Sequence, residues 1–123
     1  MFWDSIVAFR PFPMLGHYSA AKFAVKGYTQ VCAMEWAKHK ITVNAYAPGI
    51  VGTNMWELID EELGKTTGKK RGETIDHYVN NLTALGRVSV PEDVAKCVSY
   101  LASPDSDFMT GQTSVIDGGI VYN

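Results

Sequence analysis

A tyrosine and a lysine stand four residues apart in the segment Tyr18-Ser19-Ala20-Ala21-Lys22. On a helix, this spacing places both side chains on one face, one turn from each other. A free phenol has a pKa of about 10 and exchanges protons poorly at neutral pH, but a neighbouring ammonium favours the phenolate. The pair could therefore act as a general acid and base on an alcohol or ketone oxygen. The same spacing also occurs as an ordinary amphipathic pair.

Three further features accompany this pair. Ser5 precedes Tyr18, Pro48-Gly49 follows a β-branched run, and Thr53 comes shortly after Gly49. The order Ser, Tyr-x-x-x-Lys, Pro-Gly-x-x-x-Thr resembles the short-chain dehydrogenase/reductase family. Within that family, the chain is most similar to the acetoin (diacetyl) reductase and 2,3-butanediol dehydrogenase group, and the similarity runs from Ser5 to Asn123. The similarity also includes the segments Met55-Trp56, Gly86-Arg87, Pro91-Glu92-Asp93-Val94-Ala95 and Ile116-Asp117-Gly118-Gly119.

The resemblance implies catalytic roles for three residues. Tyr18 is expected to donate a proton to the substrate carbonyl, Ser5 to polarise that carbonyl, and Lys22 to assist Tyr18 and hydrogen-bond the nicotinamide ribose. For Ser5, an ordinary surface serine is the competing interpretation.

The resemblance also implies a cofactor, NAD or NADP, with NAD slightly favoured. The residues expected to contact it are Tyr18, Lys22, Pro48, Gly49, Val51 and Thr53. For Thr53, a plain helix N-cap is the competing interpretation.

Ile6, Phe12 and Trp56 match positions near the substrate in the resembled group. Their apolar character suits a short methyl-bearing hydroxyketone or diketone. Ile6 and Phe12 could equally be loop-packing residues. The expected activity is therefore the interconversion of a small acetoin-like or diacetyl-like ketone and its alcohol.

Composition excludes several other functions. The 123 residues carry a net charge of −2, which provides no electrostatic attraction for nucleic acid or for an anionic membrane. No apolar run is long enough to span a bilayer. The three histidines, His17, His39 and His77, lack metal-ligand spacing, so no metal is expected. Cys32 and Cys97 are expected to be separate reduced thiols, which suits the cytoplasm.

The chain alternates helical and strand-like segments, which predicts an α/β fold with a parallel sheet. Helices are predicted over 17–38, 54–63 and 74–84, the last capped by Thr74, and another is predicted after a capping box that begins at Ser89. Strands are predicted over 41–47 and 112–116, beside a stub before Ser5. Segment 54–84 resembles the family's mobile substrate lid. The apolar stripe of the first helix is predicted to be core or subunit interface, and a homo-oligomer is expected.

No glycine-rich turn of the kind that binds a dinucleotide pyrophosphate is present. The expected architecture is thus one partial domain, 1–123, the C-terminal part of a Rossmann-like doubly wound parallel sheet whose N-terminal cofactor-binding half is missing. A second hypothesis is a truncated, inactive fragment that acts at most as an oligomerisation module. A third hypothesis is that the chain has the same fold but belongs to an epimerase or a dehydratase.

Overall fold

A computed structural model describes residues 1–122 and has an α/β fold built on three short parallel strands. The strands are β1 (Phe2–Trp3), β2 (Ala45–Pro48) and β3 (Thr113–Ile116), and they lie in the order β1-β2-β3. β1 begins opposite Ala45, which itself pairs with Thr113. The predicted parallel sheet, with a short first strand, is confirmed.

Within residues 1–122, four α-helices lie between the strands in the chain. They are α1 (Gly16–Trp36), α2 (Asn54–Thr67), α3 (Glu73–Leu82) and α4 (Pro91–Leu101), of which α1 and α4 pack against the strands. Short 3₁₀ helices cover Ile6–Ala8, Ala37–His39 and Pro104–Ser106. Parallel strands need crossover connections. α1 is the connection between β1 and β2, and the remaining helices lie between β2 and β3.

The second strand is shorter than predicted, since it begins at Ala45 rather than Ile41. The two residues before Ala45 also bind the loop before β3, although the Asn44 carbonyl still accepts from the Phe2 N–H of β1 at 2.9 Å. The Val43 N–H donates to the Thr110 hydroxyl at 3.0 Å, and the Asn44 amide donates to the Met109 carbonyl at 2.6 Å. Apolar periodicity alone cannot distinguish such extended chain from a paired strand.

Two helix boundaries between Asn54 and Leu82 also differ from the prediction. The first helix continues past Leu63 to Thr67, where Gly68 ends it with a left-handed φ of 72° and donates to the Gly64 carbonyl. The prediction that Thr74 caps the next helix is wrong, because α3 already begins at Glu73. The backbone N–H of Thr74 donates instead to a carboxylate on α2.

The predicted capping box of α4 consists of Ser89 and Glu92. In the structure it lies one residue later in the chain, at Val90 and Asp93. Val90 occupies the N-cap, and its N–H donates to Asp93 Oδ2 at 3.0 Å. The Ser89 hydroxyl donates instead to the Ile50 carbonyl at 2.9 Å. Arg87 donates to both Asp93 oxygens at 2.7 and 3.1 Å, and this guanidinium with the Val90 N–H lowers the pKa of Asp93 to about 2.

Buried apolar residues form two clusters. The larger cluster contains Ile6, Ile50, Val79 and Ile120, and therefore joins the 3₁₀ turn after β1, the loop after β2, α3 and the C-terminal segment. The smaller cluster joins α1 to the sheet through Cys32, Ala33 and Val43. Both cysteines are free thiols.

The predicted apolar stripe of α1 is only partly buried. Cys32 is in the core, whereas Tyr28 and Trp36 are exposed. Further large apolar side chains on the same helix also face solvent, namely Phe23, Val31 and Met34. Of the two interpretations of the stripe, core or interface, the core accounts for Cys32, and the Tyr28 ring packs on Phe2 with 5.5 Å between ring centroids although it stays exposed. No helix within residues 1–122 is long and apolar enough to cross a membrane.

Candidate active site

The residues expected to do chemistry gather where the parallel strands end. β1 leads into Asp4 and Ser5, and β2 leads into Gly49 and the turn before α2. The carboxyl ends of parallel strands share one edge of a sheet, and ligands of open α/β folds bind at that edge. The 3₁₀ turn Ile6–Ala8 packs against α1, which carries Tyr18 and Lys22 in its first turns.

Lys22 connects α1 to the end of β1. Its ammonium donates to the Trp3 carbonyl at 2.8 Å and lies 5.1 Å from the centroid of the Trp3 ring. The same nitrogen is 5.7 Å from the centroid of the Tyr18 ring. Tyr18 remains 38% exposed, so its side chain is accessible to a ligand. A cation therefore stands beside an accessible phenol, which is the geometry that the four-residue spacing predicts.

Ser5 is half-buried and begins the 3₁₀ turn with extended backbone. Its hydroxyl oxygen accepts from the Val7 N–H at 3.4 Å, a long and therefore weak bond. This weak cap leaves the Ser5 hydroxyl capable of a better hydrogen bond to another group. Ser5 thus precedes a buried turn while it is itself only half-buried, and its contact with substrate stays a prediction.

Asp4 is a buried residue at this edge for which the sequence predicted no role. It is fully buried at 0% exposure, and its Oδ1 accepts from the Ser5 N–H at 2.9 Å. Its other oxygen, Oδ2, has no hydrogen-bond partner among residues 1–122. Burial raises the pKa of Asp4, against the opposing effects of the Ser5 N–H and the ammoniums of Lys22 and Lys26. The only sequence signal is an acid directly after a strand.

The turn after β2 has a tight backbone. The Gly49 N–H donates to the Ile116 carbonyl at 3.0 Å, which continues the ladder from the last residue of β2, Pro48. A Cβ on Gly49 would lie 2.6 Å from the Cβ of Asp117, so only glycine fits. Val51 pairs with Ser89 in an isolated parallel bridge.

Thr53 occupies the N-cap position of α2, with extended φ and ψ of −135° and 167°. Its side chain makes no capping hydrogen bond with the described helix, although its carbonyl accepts from the N–H groups of Trp56 and Glu57. The N-cap interpretation therefore accounts for the backbone of Thr53 and leaves its exposed hydroxyl uncommitted. A ligand lying over the start of α2 could use that hydroxyl.

The three residues expected near the substrate meet in the larger apolar cluster. Ile6 belongs to its buried part, at 7% exposure, whereas Phe12 and Trp56 pack against it from the side. The Trp56 ring also contacts Tyr78 of α3, with 6.3 Å between ring centroids. Packing thus explains all three side chains, and their contact with substrate stays a prediction.

A cleft of about 430 Å³ opens between the turn at Thr53, α2 and the start of α3. Its walls are formed by Gly52, Thr53, Asn54, Trp56, Glu57, Asp60, Arg71, Gly72, Ile75 and Val88. Arg71 and Glu57 form an exposed ion pair at 2.9 Å. The cleft therefore borders one expected cofactor residue, Thr53, and one expected substrate residue, Trp56.

Asp60 is the second residue that sequence reasoning missed. It is buried, and its carboxylate accepts three backbone N–H groups, from Gly72 at 2.5 Å, Thr74 at 3.0 Å and Ile75 at 3.2 Å. These bonds, with that of Gly72 strongest, lower the pKa of Asp60. The sequence held one signal for such a contact. Gly72 precedes α3 and has no side chain to cap it, so the first N–H groups of α3 need an acceptor from elsewhere.

Across residues 1–122, no group of three or more histidine, cysteine or acidic side chains is arranged to hold a metal ion.

Comparison with known proteins gives consistent matches over nearly the whole chain. The family described as Enoyl-(Acyl carrier protein) reductase matches residues 1–121. L-2,3-butanediol dehydrogenase of Corynebacterium glutamicum is 57% identical over 119 residues, which are 97% of this chain and 46% of that protein. Diacetyl reductase [(S)-acetoin forming] of Staphylococcus epidermidis is 45% identical over 119 residues, 96% of this chain and 46% of that protein.

Among solved structures, L-sorbose reductase from Gluconobacter frateurii, complexed with NADPH and L-sorbose, superimposes with a TM-score of 0.90. It is 26% identical, and the match covers 98% of this chain and 46% of that one. The chain thus spans about half the length of the curated relatives it matches.

Proposed function

Because the chain belongs to the short-chain dehydrogenase/reductase family, we propose that it carries the proton-transfer site of an NAD(P)-dependent oxidoreductase acting on a small ketone or its alcohol. The observation that carries this proposal is the Lys22 ammonium 5.7 Å from the accessible Tyr18 ring, at the carboxyl edge of a parallel sheet. The names of the relatives, butanediol dehydrogenase and diacetyl reductase, point to the same substrate class.

In the reductive direction, the Tyr18 hydroxyl donates its proton to the carbonyl oxygen of the substrate. Ser5 donates a hydrogen bond to that oxygen and stabilises the negative charge that develops there. Lys22 stabilises the phenolate that Tyr18 becomes, because its ammonium is held beside the ring by the Trp3 carbonyl. In the oxidative direction, the phenolate accepts the proton from the alcohol.

The residues fit a nicotinamide cofactor at this edge. The uncommitted hydroxyl of Thr53 and the close backbone approach at Gly49 are suitable contacts, and Lys22, Val51 and Pro48 border the same edge. When bound, the nicotinamide supplies the hydride for reduction or accepts it in oxidation. NADPH is the cofactor in the L-sorbose reductase complex, whereas we slightly favour NAD for this chain.

The substrate is a short methyl-bearing diketone or hydroxyketone, such as diacetyl or acetoin. Ile6, Phe12 and Trp56 supply apolar surface in one cluster, which suits methyl groups rather than charged ones. α2 and α3 form the lid over this substrate, and Trp56 is the lid residue that faces it. Lids of this kind exclude water and complete the site.

The test uses a hybrid in which the N-terminal half of the Corynebacterium glutamicum relative is joined ahead of Phe2. We expect NADH-dependent reduction of diacetyl, and Tyr18→Phe should reduce kcat/KM by about 10²–10⁴-fold, since general acid catalysis typically contributes that much. Tyr100→Phe, at an exposed position of α4, is the matched control. A folded Tyr18→Phe hybrid with the parental rate would overturn the proposed role of Tyr18.

A second candidate function is that of a non-catalytic oligomerisation module. It is supported by the exposed apolar residues of α1, Phe23, Tyr28, Val31 and Met34, and by the position of β1 at one edge of the described sheet. An active enzyme could use the same surface to form a homo-oligomer. Sedimentation of the parent and of Val31→Glu separates association from monomeric behaviour, and Gln30→Glu, at an exposed position of the same helix, is the control for the added charge.

A further inference from the structure

Asp60 makes the polar connection between the two lid helices. It lies on α2, it is 3% exposed, and both of its oxygens accept hydrogen bonds from the start of α3. The three donors are the N–H groups of Gly72, Thr74 and Ile75, which the first turn of a helix cannot satisfy internally. A carboxylate at a helix N-terminus is also favoured by the helix dipole.

The chain between α2 and α3 gives the pair little rigidity of its own. It begins at Gly68 and ends at Gly72, and both glycines have left-handed φ values, 72° and 89°. Glycine restricts the backbone less than other residues do. Contacts between the two helices therefore contribute to the relative placement of α2 and α3, beside the exposed Arg71–Glu57 ion pair that ties the connecting segment to α2.

Those contacts occur at two points on one face of α2. Asp60 follows Trp56 by four residues, so the two side chains lie one turn apart on the same face. Asp60 binds the beginning of α3, and the Trp56 ring packs on Tyr78 further along α3. Trp56, Asp60 and Ile75 all line the cleft of about 430 Å³.

We propose that Asp60 is a positioning residue, whose carboxylate fixes α3 against α2 and thereby sets the orientation of Trp56 in the wall of the cleft. The effect on the orientation of Trp56 follows from the contacts alone. Its consequence for substrate binding rests on the proposed function.

The first test uses the 123-residue chain and needs no activity. Asp60→Ala removes all three hydrogen bonds, whereas Asp60→Asn keeps one acceptor oxygen and should have an intermediate effect. Asp76→Asn makes the same chemical change at an exposed position of α3 and serves as the control. Near-ultraviolet circular dichroism reports on the Trp56–Tyr78 pair, and the band is assigned by its loss in Trp56→Phe.

We expect the Trp56 band to change in Asp60→Ala while the far-ultraviolet spectrum persists. Hydrogen exchange of the amides of Gly72, Thr74 and Ile75 should become at least about tenfold faster, since each loses its acceptor. Asp76→Asn should leave both measurements unchanged. An unchanged band and unchanged exchange in folded Asp60→Ala would overturn the proposal, as would loss of the entire fold in both Asp60 variants, which would make Asp60 a global stabiliser.

The second test uses the hybrid enzyme. Asp60→Asn should raise the KM for diacetyl at least about fivefold, with a smaller change in kcat and an unchanged KM for NADH. The reason is that the cleft wall binds the substrate equally in the ground state and the transition state, and loss of such binding raises KM more than it lowers kcat. An unchanged KM for diacetyl in an active hybrid would refute the link to substrate binding. An inactive parental hybrid would count against the proposed function, and the spectroscopic and exchange measurements would still decide the role of Asp60.

Discussion

The Lys22 ammonium donates a hydrogen bond of 2.8 Å to the backbone carbonyl of Trp3. This bond links α1 to the last residue of β1, across 19 positions of the chain. It also holds the ammonium between two aromatic rings, those of Trp3 and Tyr18. A lysine on a helix has many rotamers, so an acceptor from a neighbouring strand is needed to hold it beside the phenol.

Lys22→Met should destabilise the chain, because it removes the hydrogen bond to Trp3 and the cation–π contacts while it keeps an apolar stem. We expect a loss of about 0.5–1.5 kcal/mol in the free energy of unfolding, the usual value of a single hydrogen bond. Lys38→Met, at an exposed position of the 3₁₀ helix that follows α1, should change stability by less than about 0.5 kcal/mol. Urea denaturation of the parent, Lys22→Met and Lys38→Met measures the free energies of unfolding. Equal losses of stability in the two variants would argue against an ammonium held by the Trp3 carbonyl.

Asp4→Asn should stabilise the chain at neutral pH. Burial raises the pKa of Asp4 above its ordinary value of 3.8, so the folded state holds the Asp4 proton more tightly than the unfolded state does. Stability contributed by that proton is present at low pH and is lost as the pH rises from about 4 through the raised pKa. The gain in Asp4→Asn should therefore be absent near pH 3 and reach about 1 kcal/mol at pH 7, the usual order for a buried unsatisfied group.

Melting temperature against pH measures the effect of Asp4→Asn. Asp107→Asn replaces an exposed aspartate and should show no comparable gain. A gain of equal size at pH 3 and pH 7 would mean that the charge of Asp4 is not the cause.

Asp93→Asn should have the opposite pH dependence. The pKa of Asp93 is about 2, lowered first by the Arg87 guanidinium and then by the Val90 N–H. A lowered pKa contributes stability that is fully present above the ordinary value and is lost as the pH falls from about 4 to about 2. The parent should thus be more stable than Asp93→Asn at pH 7, and the two melting temperatures should converge towards pH 2. Parallel melting curves over this range would contradict the assignment.

The 123-residue chain by itself should bind NADH and NADPH more weakly than micromolar. Within its sequence there is no glycine-rich turn to hold a pyrophosphate at a helix N-terminus, and that contact supplies much of dinucleotide affinity. Calorimetric titration of the chain and of the hybrid enzyme compares the two directly. Micromolar affinity in the chain alone would reveal a phosphate site elsewhere in it.

Much of the fold could be predicted from local patterns. The apolar period over α1 and the proline at the start of α4 each specify an element through short-range sterics and periodic burial. The spacing of Tyr18 and Lys22 likewise follows from helix geometry alone. The order of these elements then implied a parallel sheet, since helices separate each strand from the next.

The choice of hydrogen-bond partners depended on the tertiary structure. Ser89 was predicted to cap α4, but its hydroxyl meets the Ile50 carbonyl, 39 residues away, and Asp93 accepts the Val90 N–H instead. Thr74 was predicted to cap α3, and Asp60 supplies that cap from α2. Polar side chains near a helix start have several possible partners, and sequence spacing cannot rank them when a distant partner is available.

The sequence by itself therefore determined the element types, the parallel arrangement and the Tyr18–Lys22 spacing, because each depends on residues within one or two turns or on the order of segments. Only the tertiary structure decided that Lys22 binds the Trp3 carbonyl, that Asp4 is buried beside Ser5 and that Asp60 joins α2 to the start of α3. These contacts require segments distant in the chain to approach within hydrogen-bond distance, and their energies depend on burial, which no local pattern specifies.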